Sequence, residues 1–183
     1  VSEALKDEIQ HWNDRIPIAI FSDTGTGKNT FIEEVIIPHA IRYGKTILLL
    51  SNRVALGRQT KRRLAQLYGA ENILDDFTDQ GLDRFMDIGN LTLVSYQQFA
   101  CWYNSNTYKL VELIKKRYDY VICDEAHFFT SDSPFNAFTD ITLNYIINHF
   151  IDSVCIYMTA TPDEIFPILK IKQREGGRSY TNR

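Results

Sequence analysis

The chain has 183 residues, which is enough for one domain with a sizeable core and too few for two domains of ordinary size. Hydrophobic residues make up 44% and charged residues 23% of it, a composition typical of soluble globular proteins, and its apolar runs are too short to span a membrane. The formal net charge of −3 excludes a uniformly basic coat for holding nucleic acid but leaves room for a local basic stripe.

Two features bear on where the protein works. The charged N-terminus lacks the apolar core of a secretory leader. The three cysteines cannot all pair, and Cys123 and Cys155 fall within apolar segments, which favours reduced core cysteines. We therefore expect a cytoplasmic protein that has no contact with a membrane. Because the sequence opens at Val1 rather than Met, we also expect it to be part of a longer chain.

The predicted elements alternate between short apolar strands and helices. The first half begins with an amphipathic helix before Pro17 and a strand over 18–21, followed by a helix from Lys28 that is interrupted or ends near Pro38 and is closed by Gly44. A strand over 46–50, a basic helix over about 54–67 and an acidic loop with at most one short helix over 69–90 come next. The second half has strands over 91–94 and 120–123, a helix that starts with Ser133 and Pro134, a strand over 154–158, and a polar tail from 172.

This alternation predicts parallel βαβ units. The fold class is therefore α/β, with a parallel sheet of at least five strands and helices on both faces. We expect residues 1–171 to form the domain and 172–183 to be a linker or the start of a connection to a second domain.

A polar, glycine-bearing turn between the first strand and the next helix is typical of a phosphate-binding loop. Glycines let successive backbone N–H groups point at phosphate oxygens, the helix N-terminus adds its positive dipole end, and Lys28 reaches the β- and γ-phosphates. An ordinary glycine turn with a lysine is the alternative. The residues predicted to hold the nucleotide are Thr24, Gly25, Thr26, Gly27, Lys28, Asn29 and Thr30.

Asn29 departs from the usual pattern, in which a Ser or Thr hydroxyl follows the lysine and binds Mg²⁺. An asparagine carbonyl is also a hard oxygen ligand that magnesium accepts. We expect Asn29 to bind the ion or to support the groups that do. Thr30 could replace it only if the helix started in a shifted register.

Two acids follow the strand over 120–123. Phosphoryl transfer to water needs an acid that holds Mg²⁺ and a group that orients the attacking water. Asp124 suits the first task and Glu125 the second, and together with Lys28 they are the predicted catalytic residues. The alternative, a solvated acidic turn, weakens because a phosphate loop lies upstream in the same βα pattern.

The order and strand context of these segments resemble the superfamily 2 helicases over about 16–162. Gly-Thr-Gly-Lys stands for motif I, Asp-Glu-Ala-His for motif II, and a Thr-Ala-Thr turn after the last strand for motif III. His127 makes motif II closer to the DEAH-box than to the DEAD-box type. The resemblance implies a RecA-like P-loop NTPase fold with ATP and Mg²⁺ as cofactors.

The resemblance also implies a coupling role for the residues that link the state of the γ-phosphate to domain movement. These are His127, Thr159, Ala160 and Thr161.

The same resemblance places nucleic acid at two loops. Ser51, Asn52 and Arg53 follow the second strand, where superfamily 2 proteins hold the sugar-phosphate backbone, and Ser95 follows the third. Tyr96 could contact the bound strand or be a packed aromatic, which is the commoner fate of a tyrosine. The basic helix after Arg53 fits a solvated face at least as well as a binding surface.

The resemblance predicts the ATP-binding half of a helicase or translocase that hydrolyses ATP to move on, or unwind, DNA or RNA. Two alternatives stay open. A motor subunit of a restriction or DNA-processing system shares all these motifs, and a nucleotide-dependent binding module with impaired hydrolysis is favoured by Asn29 alone. ATP in these motors lies between two RecA-like domains, so the isolated chain is expected to be a nearly inactive monomer.

Overall fold

The computed structural model describes residues 5–14, 16–21, 27–52, 58–69, 87–105, 107–131 and 138–175. In this part of the chain one sheet is formed by β1 (Ile18–Phe21), β2 (Ile47–Ser51), β3 (Asp87–Ile88), β4 (Leu91–Ser95), β5 (Tyr120–Asp124) and β6 (Val154–Thr159). The order across the sheet is β1-β6-β5-β2-β4-β3, and only the β3–β4 pair is antiparallel. The predicted α/β fold with at least five parallel strands is confirmed.

Helices connect these strands. They are α1 (Lys28–Phe31, continued by a π-helical segment Ile32–Ile36 and an α-helical segment Ile37–Tyr43), α2 (Arg58–Leu67), α3 (Tyr96–Asn104), α4 (Tyr108–Lys115), α5 (Phe128–Ser131), α6 (Phe138–His149) and α7 (Pro162–Glu175), with a 3-10 helix at Ile9–His11 ahead of β1.

The central strands are buried on both faces of the sheet. Leu48 and Leu50 of β2 join a cluster with residues of α3, α4, α6 and α7, whereas Ile47 and Leu49 join a second cluster with residues of α1 and α2. Every residue of β2 is buried. A strand covered in this way needs an unbroken apolar run, which is why the sequence shows one here. Helices on both faces are confirmed.

Helix α1 continues through Pro38 instead of ending there. Pro38 has no backbone N–H, and its ring would clash with the carbonyl four residues earlier in an α-helix. The π-helical segment widens the turn just before it, and the N–H of Ile37 bonds the carbonyl of Ile32, five residues back. Gly44 then closes the helix with a φ of 63°, a left-handed conformation that favours glycine.

The helix predicted before Pro17 is wrong in extent. Among the described residues of this segment, Ile9–His11 forms a 3-10 helix, and Trp12 is extended, with a ψ of 141°. The apolar spacing nevertheless marks residues that face the core, since Ile9 is buried and Trp12 lies edge-on to Phe31. A segment this short has too little helical stability of its own, so packing decides its shape.

The C-terminal end of the described chain is helical. Helix α7 begins with Pro162 at its first position and has acids in its first turn, both of which favour a helix N-terminus. It extends to Glu175, so the expected boundary between 171 and 172 falls inside a helix. The predicted start of a helix at Ser133 and Pro134 lies outside the described residues.

Candidate nucleotide site at the carboxyl edge of the sheet

The predicted site segments meet at one edge of the sheet. Phe21 at the end of β1 pairs in register with Thr159 of β6, and Ser51 of β2 pairs with both Asp124 of β5 and Ser95 of β4. Because these strands are parallel, the loops that follow them emerge on the same side, which we call the carboxyl edge. Open α/β sheets bind their ligands at this edge.

Gly27 and Lys28 open helix α1 at the carboxyl edge. Gly27 has a φ of 92°, which a residue with a side chain rarely adopts, and its carbonyl accepts a hydrogen bond from the N–H of Phe31 at 2.9 Å. Lys28 is only 6% exposed. Its place in the first turn of α1 puts it at the helix N-terminus, whose positive dipole end favours bound anions.

The other predicted phosphate-loop residues fall into two groups. Thr24, Gly25 and Thr26 lie outside the described residues. Asn29 and Thr30 lie in the first turn of α1, and both are exposed. Their side chains are therefore accessible to a nucleotide or an ion bound at the start of this helix.

The two acids differ in their surroundings. Asp124 ends β5 and is 6% exposed, whereas Glu125 has a φ of 52°, in the left-handed region that costs a residue with a side chain roughly 1–2 kcal/mol. Backbone hydrogen bonds hold this turn. The N–H of Ala126 donates to the carbonyl of Met158 at 2.8 Å, and the N–H of Phe128 donates to the carbonyl of Glu125 at 3.0 Å. Strain of this kind is typical of functional sites.

His127 connects the acidic turn with the Thr-Ala-Thr turn. Its Nδ1 lies 3.3 Å from Oε2 of Glu125 and 3.4 Å from Oγ1 of Thr159. That hydroxyl also accepts a hydrogen bond from the N–H of Thr161 at 3.1 Å. A continuous chain of contacts therefore runs from the acid predicted to orient water to the turn predicted to link the state of the γ-phosphate to domain movement. Ala160 lies between the two threonines of that turn.

The residues predicted to touch nucleic acid have unequal access to solvent. Ser51 is 1% exposed, and Asn52 is half-buried with its Oδ1 accepting a hydrogen bond from Nε2 of Gln97 at 2.8 Å. The Ser95 hydroxyl accepts a hydrogen bond from the N–H of Gln98 at 3.1 Å and so caps helix α3. Asn52 is thus better placed for a phosphate than Ser51. Arg53 lies outside the described residues.

Two contacts near the site involve residues to which the sequence pattern gave no role. Gln97 holds Asn52, and Glu33 of the π-helical segment pairs with Arg63 of α2, whose Nε lies 2.9 Å from Oε2 of Glu33. The Glu33 side chain is 9% exposed, so the pair fixes α2 against α1. The sequence does carry a sign of the Glu33–Arg63 pair, because Glu33 is an acid among the apolar residues of a buried helix face.

The residues present fit a magnesium ion by their chemistry. Among the described residues no three His, Cys, Asp or Glu side chains cluster as a self-sufficient metal site. Magnesium bound with a nucleotide usually needs only one or two protein oxygens, because phosphates and waters supply the rest. The Asp124 carboxylate at the end of β5 and the Asn29 amide oxygen at the start of α1 are hard donors of that type.

Comparison with protein families settles the broad identity of the domain. The model of the family described as "Type III restriction enzyme, res subunit" matches residues 1–164. The chain belongs to this family. It is therefore a superfamily 2 helicase-like ATPase domain, and membership in this P-loop family implies ATP binding. No curated protein matches the chain significantly.

Two solved structures are similar to this res-family domain. The SWI2/SNF2 ATPase core of Sulfolobus solfataricus, solved in complex with double-stranded DNA, shares 14% identity at a TM-score of 0.53 and covers 92% of this chain. A KaiC-like protein from Pyrococcus horikoshii shares 16% identity at a TM-score of 0.48, with 84% of this chain and 66% of the other covered. The first match supports the RecA-like fold. The chain spans only 32% of the Sulfolobus protein.

The described helices lack the features of a membrane span. None of them combines the length and the apolar character that crossing a bilayer requires.

Proposed function

We propose that this domain is the nucleotide-binding half of an ATP-driven translocase that acts on DNA. The observation that carries the proposal is the meeting of a buried lysine, two acids and a threonine turn at one sheet edge, with His127 in contact with both Glu125 and Thr159. A group of polar residues that only stabilised the fold would not require an acid in a strained backbone conformation. It would also not require a lysine at a helix N-terminus that begins with glycine.

Each residue has a definite task in this proposal. The start of α1 and Lys28 bind the β- and γ-phosphates, and Asp124 with Asn29 holds Mg²⁺, which when bound withdraws charge from the phosphates. Glu125 accepts a proton from water as the water oxygen bonds to the γ-phosphorus. The bond from that phosphorus to the β–γ bridging oxygen breaks, and ADP leaves with its electron pair.

His127 carries the result of this reaction to the next strand. Because its Nδ1 lies within 3.5 Å of both Glu125 and Thr159, a shift of the acid on loss of the γ-phosphate changes the contact to the Thr-Ala-Thr turn. Helix α7 starts directly after that turn, at Pro162. The coupling path we propose therefore leads from the phosphate to the C-terminal helix.

DNA is the favoured polymer for two reasons. The family is named for restriction enzyme subunits, and the similar Sulfolobus ATPase core was solved on double-stranded DNA. In this domain Asn52, Arg53 and Ser95 are the proposed contacts. A second RecA-like domain completes the site in our proposal, since a finger arginine is worth on the order of 10³–10⁵ in rate in related systems.

Steady-state ATP turnover with and without duplex DNA, single-stranded DNA and RNA tests this proposal. We expect residues 1–183 alone to bind Mg·ATP weakly and to hydrolyse it very slowly, and the full-length protein to be stimulated by DNA. Brisk DNA-stimulated turnover by the 183-residue monomer would contradict the shared site. Tight nucleotide binding without turnover in the full-length protein would favour the binding-module alternative.

A further inference from the structure

Tyr96 is a fully buried tyrosine next to the acidic turn. It is the first residue of α3 and is 1% exposed. Its ring stacks on Phe128, with the ring centroids 5.1 Å apart and the planes 5° from parallel, and it meets Phe129 edge-on at 4.7 Å. Both phenylalanines belong to α5, which directly follows the acidic turn. The ring is therefore locked between β4 and the segment that carries the acids.

The Tyr96 hydroxyl donates a hydrogen bond to the backbone carbonyl of Asp124 at 2.9 Å. Strand β2 lies between β4 and β5 in the sheet. The hydrogen bond therefore passes the end of β2 and connects the residue after β4 with the last residue of β5. It fixes the peptide group that joins Asp124 to Glu125. That peptide group sets the backbone conformation at the strained residue, whose φ is 52°.

The Tyr96 hydroxyl stays a donor over the working pH range. Burial raises the pKa of Tyr96 well above its ordinary value of 10, and the neighbouring Cys123 and Asp124 raise it further. A protonated phenol has one hydrogen to give, and the Asp124 carbonyl accepts it. Without this donor the buried carbonyl loses a hydrogen-bond partner, which is unfavourable away from water.

We propose that Tyr96 is a positioning residue that sets the place of the Glu125 and Asp124 carboxylates by holding the peptide group between them. The inference rests on the proposed function, because it assigns those two acids to catalysis and metal binding. Tyr96 itself touches no reacting atom. The bond it makes offsets part of the backbone strain at Glu125.

The test compares Tyr96→Phe with the wild type and with Tyr118→Phe. Phenylalanine keeps the ring stack and removes only the hydroxyl. Tyr118 is a matched control, since it is also buried, stands just ahead of β5, and has its ring against Phe150 rather than against the acidic turn. The first readout is hydrogen exchange at the amides of Ala126 and Phe128, which the described turn protects.

The second readout is the Mg²⁺ concentration needed for half-maximal ATP binding, measured with a fluorescent ATP analogue. The third is single-turnover hydrolysis in the full-length protein. For Tyr96→Phe we expect faster exchange at the turn, a several-fold higher Mg²⁺ requirement, unchanged ATP affinity without magnesium, and turnover lowered about tenfold, the effect of a shift near 1.4 kcal/mol. Tyr118→Phe should match the wild type in all three.

Two results overturn the inference while leaving the proposed function intact. One is unchanged exchange at the turn in Tyr96→Phe, which would show that the hydroxyl does not hold the peptide group. The other is faster exchange with wild-type Mg²⁺ dependence and turnover, which would make the bond purely structural. Failure of the wild type to bind Mg·ATP would instead overturn the proposed function, and the inference with it.

Discussion

The two edges of the same sheet use their polar groups in opposite ways. At the amino edge, where the strands begin, Asp119 accepts hydrogen bonds from Lys45 Nζ and from the N–H of Thr46, each at 2.8 Å. Its own N–H and carbonyl are also bonded, to Thr46 and Val154. At the carboxyl edge the polar residues include a lysine at the start of a helix, two acids and a histidine that contacts both Glu125 and Thr159.

The two edges also differ in what their polar groups contribute to stability. Hydrogen bonds at the amino edge join the loops before β2, β5 and β6 and end within the protein. The carboxyl edge instead retains a residue at a φ of 52°, which costs stability, and a buried lysine at the start of a helix. In the proposed function, the carboxyl edge carries the reaction, whereas the hydrogen bonds of the amino edge serve stability. Substitutions can separate the two.

The largest effect is expected from Glu125→Gln at the carboxyl edge. The amide fills the same space but cannot accept a proton, so turnover by the full-length protein should fall by roughly 10²–10⁴-fold while ATP affinity is kept. Asp124→Asn should in addition weaken the magnesium dependence of binding. Rapid-quench hydrolysis and nucleotide titrations would measure both. Identical phenotypes for the two variants would contradict the division of labour between the acids.

Lys28→Ala should abolish detectable Mg·ATP binding, a loss of roughly 100-fold or about 3 kcal/mol, because a charge-assisted contact to the phosphates disappears. Its matched control is Lys45→Ala at the amino edge, which should bind ATP as the wild type does. Calorimetric titration of both variants measures the contrast. Equal affinities would show that the phosphate site lies elsewhere.

The smallest effect is expected at the amino edge. Burial alone would raise the pKa of Asp119, but the hydrogen bonds from Lys45 and Thr46 outweigh it and lower that pKa below its ordinary value of 3.8. A lowered acid pKa gives stability that is present above the unfolded value and is lost as pH falls through the folded one. Because the pair is partly exposed, Asp119→Asn should cost about 1 kcal/mol at neutral pH.

Urea unfolding at several pH values measures this difference. The gap between the wild type and Asp119→Asn should narrow below about pH 4, where the wild-type carboxyl also becomes protonated. ATP binding by the variant should not change. A stability difference between the wild type and Asp119→Asn that persisted in acid would contradict this prediction. A loss of nucleotide affinity in the variant would contradict the assignment of a purely stabilising role to the amino edge.

The parts of this fold that were predictable depend on local pattern. Five strands follow from apolar runs long enough to cross a covered sheet, and the meeting of Lys28, Asp124 and Thr159 follows because parallel strands end together. The two-residue strand Asp87–Ile88 carries too few residues for a pattern. Helices α3 and α4 were not predicted, although Leu110, Leu113 and Ile114 of α4 have the helical spacing that marks a face packed on the core.

Some contacts within the site could not be predicted, because they depend on the order of the strands in the sheet. Tyr96 and Asp124 are close only because β4 and β5 flank β2, an arrangement set by packing and not by any local run of residues. The same holds for Gln97 and Asn52. The π-helical turn before Pro38 arises from a competition between a proline and a buried helix face, and only the structure shows which one yields.

The position of β1 has a consequence for how the protein is made. This strand is synthesised first among the six, yet its sheet partner is β6. Ile18 can therefore pair with Ile156 only after nearly the whole domain has left the ribosome. Contacts between such distant segments form slowly, because a long loop must close before they give any stability. Strand β1, which precedes the phosphate loop in the chain, gains its sheet partner only at that stage. We expect nascent chains that stop short of Val154 to have no capacity to capture nucleotide, which makes ATP binding a late event in biogenesis.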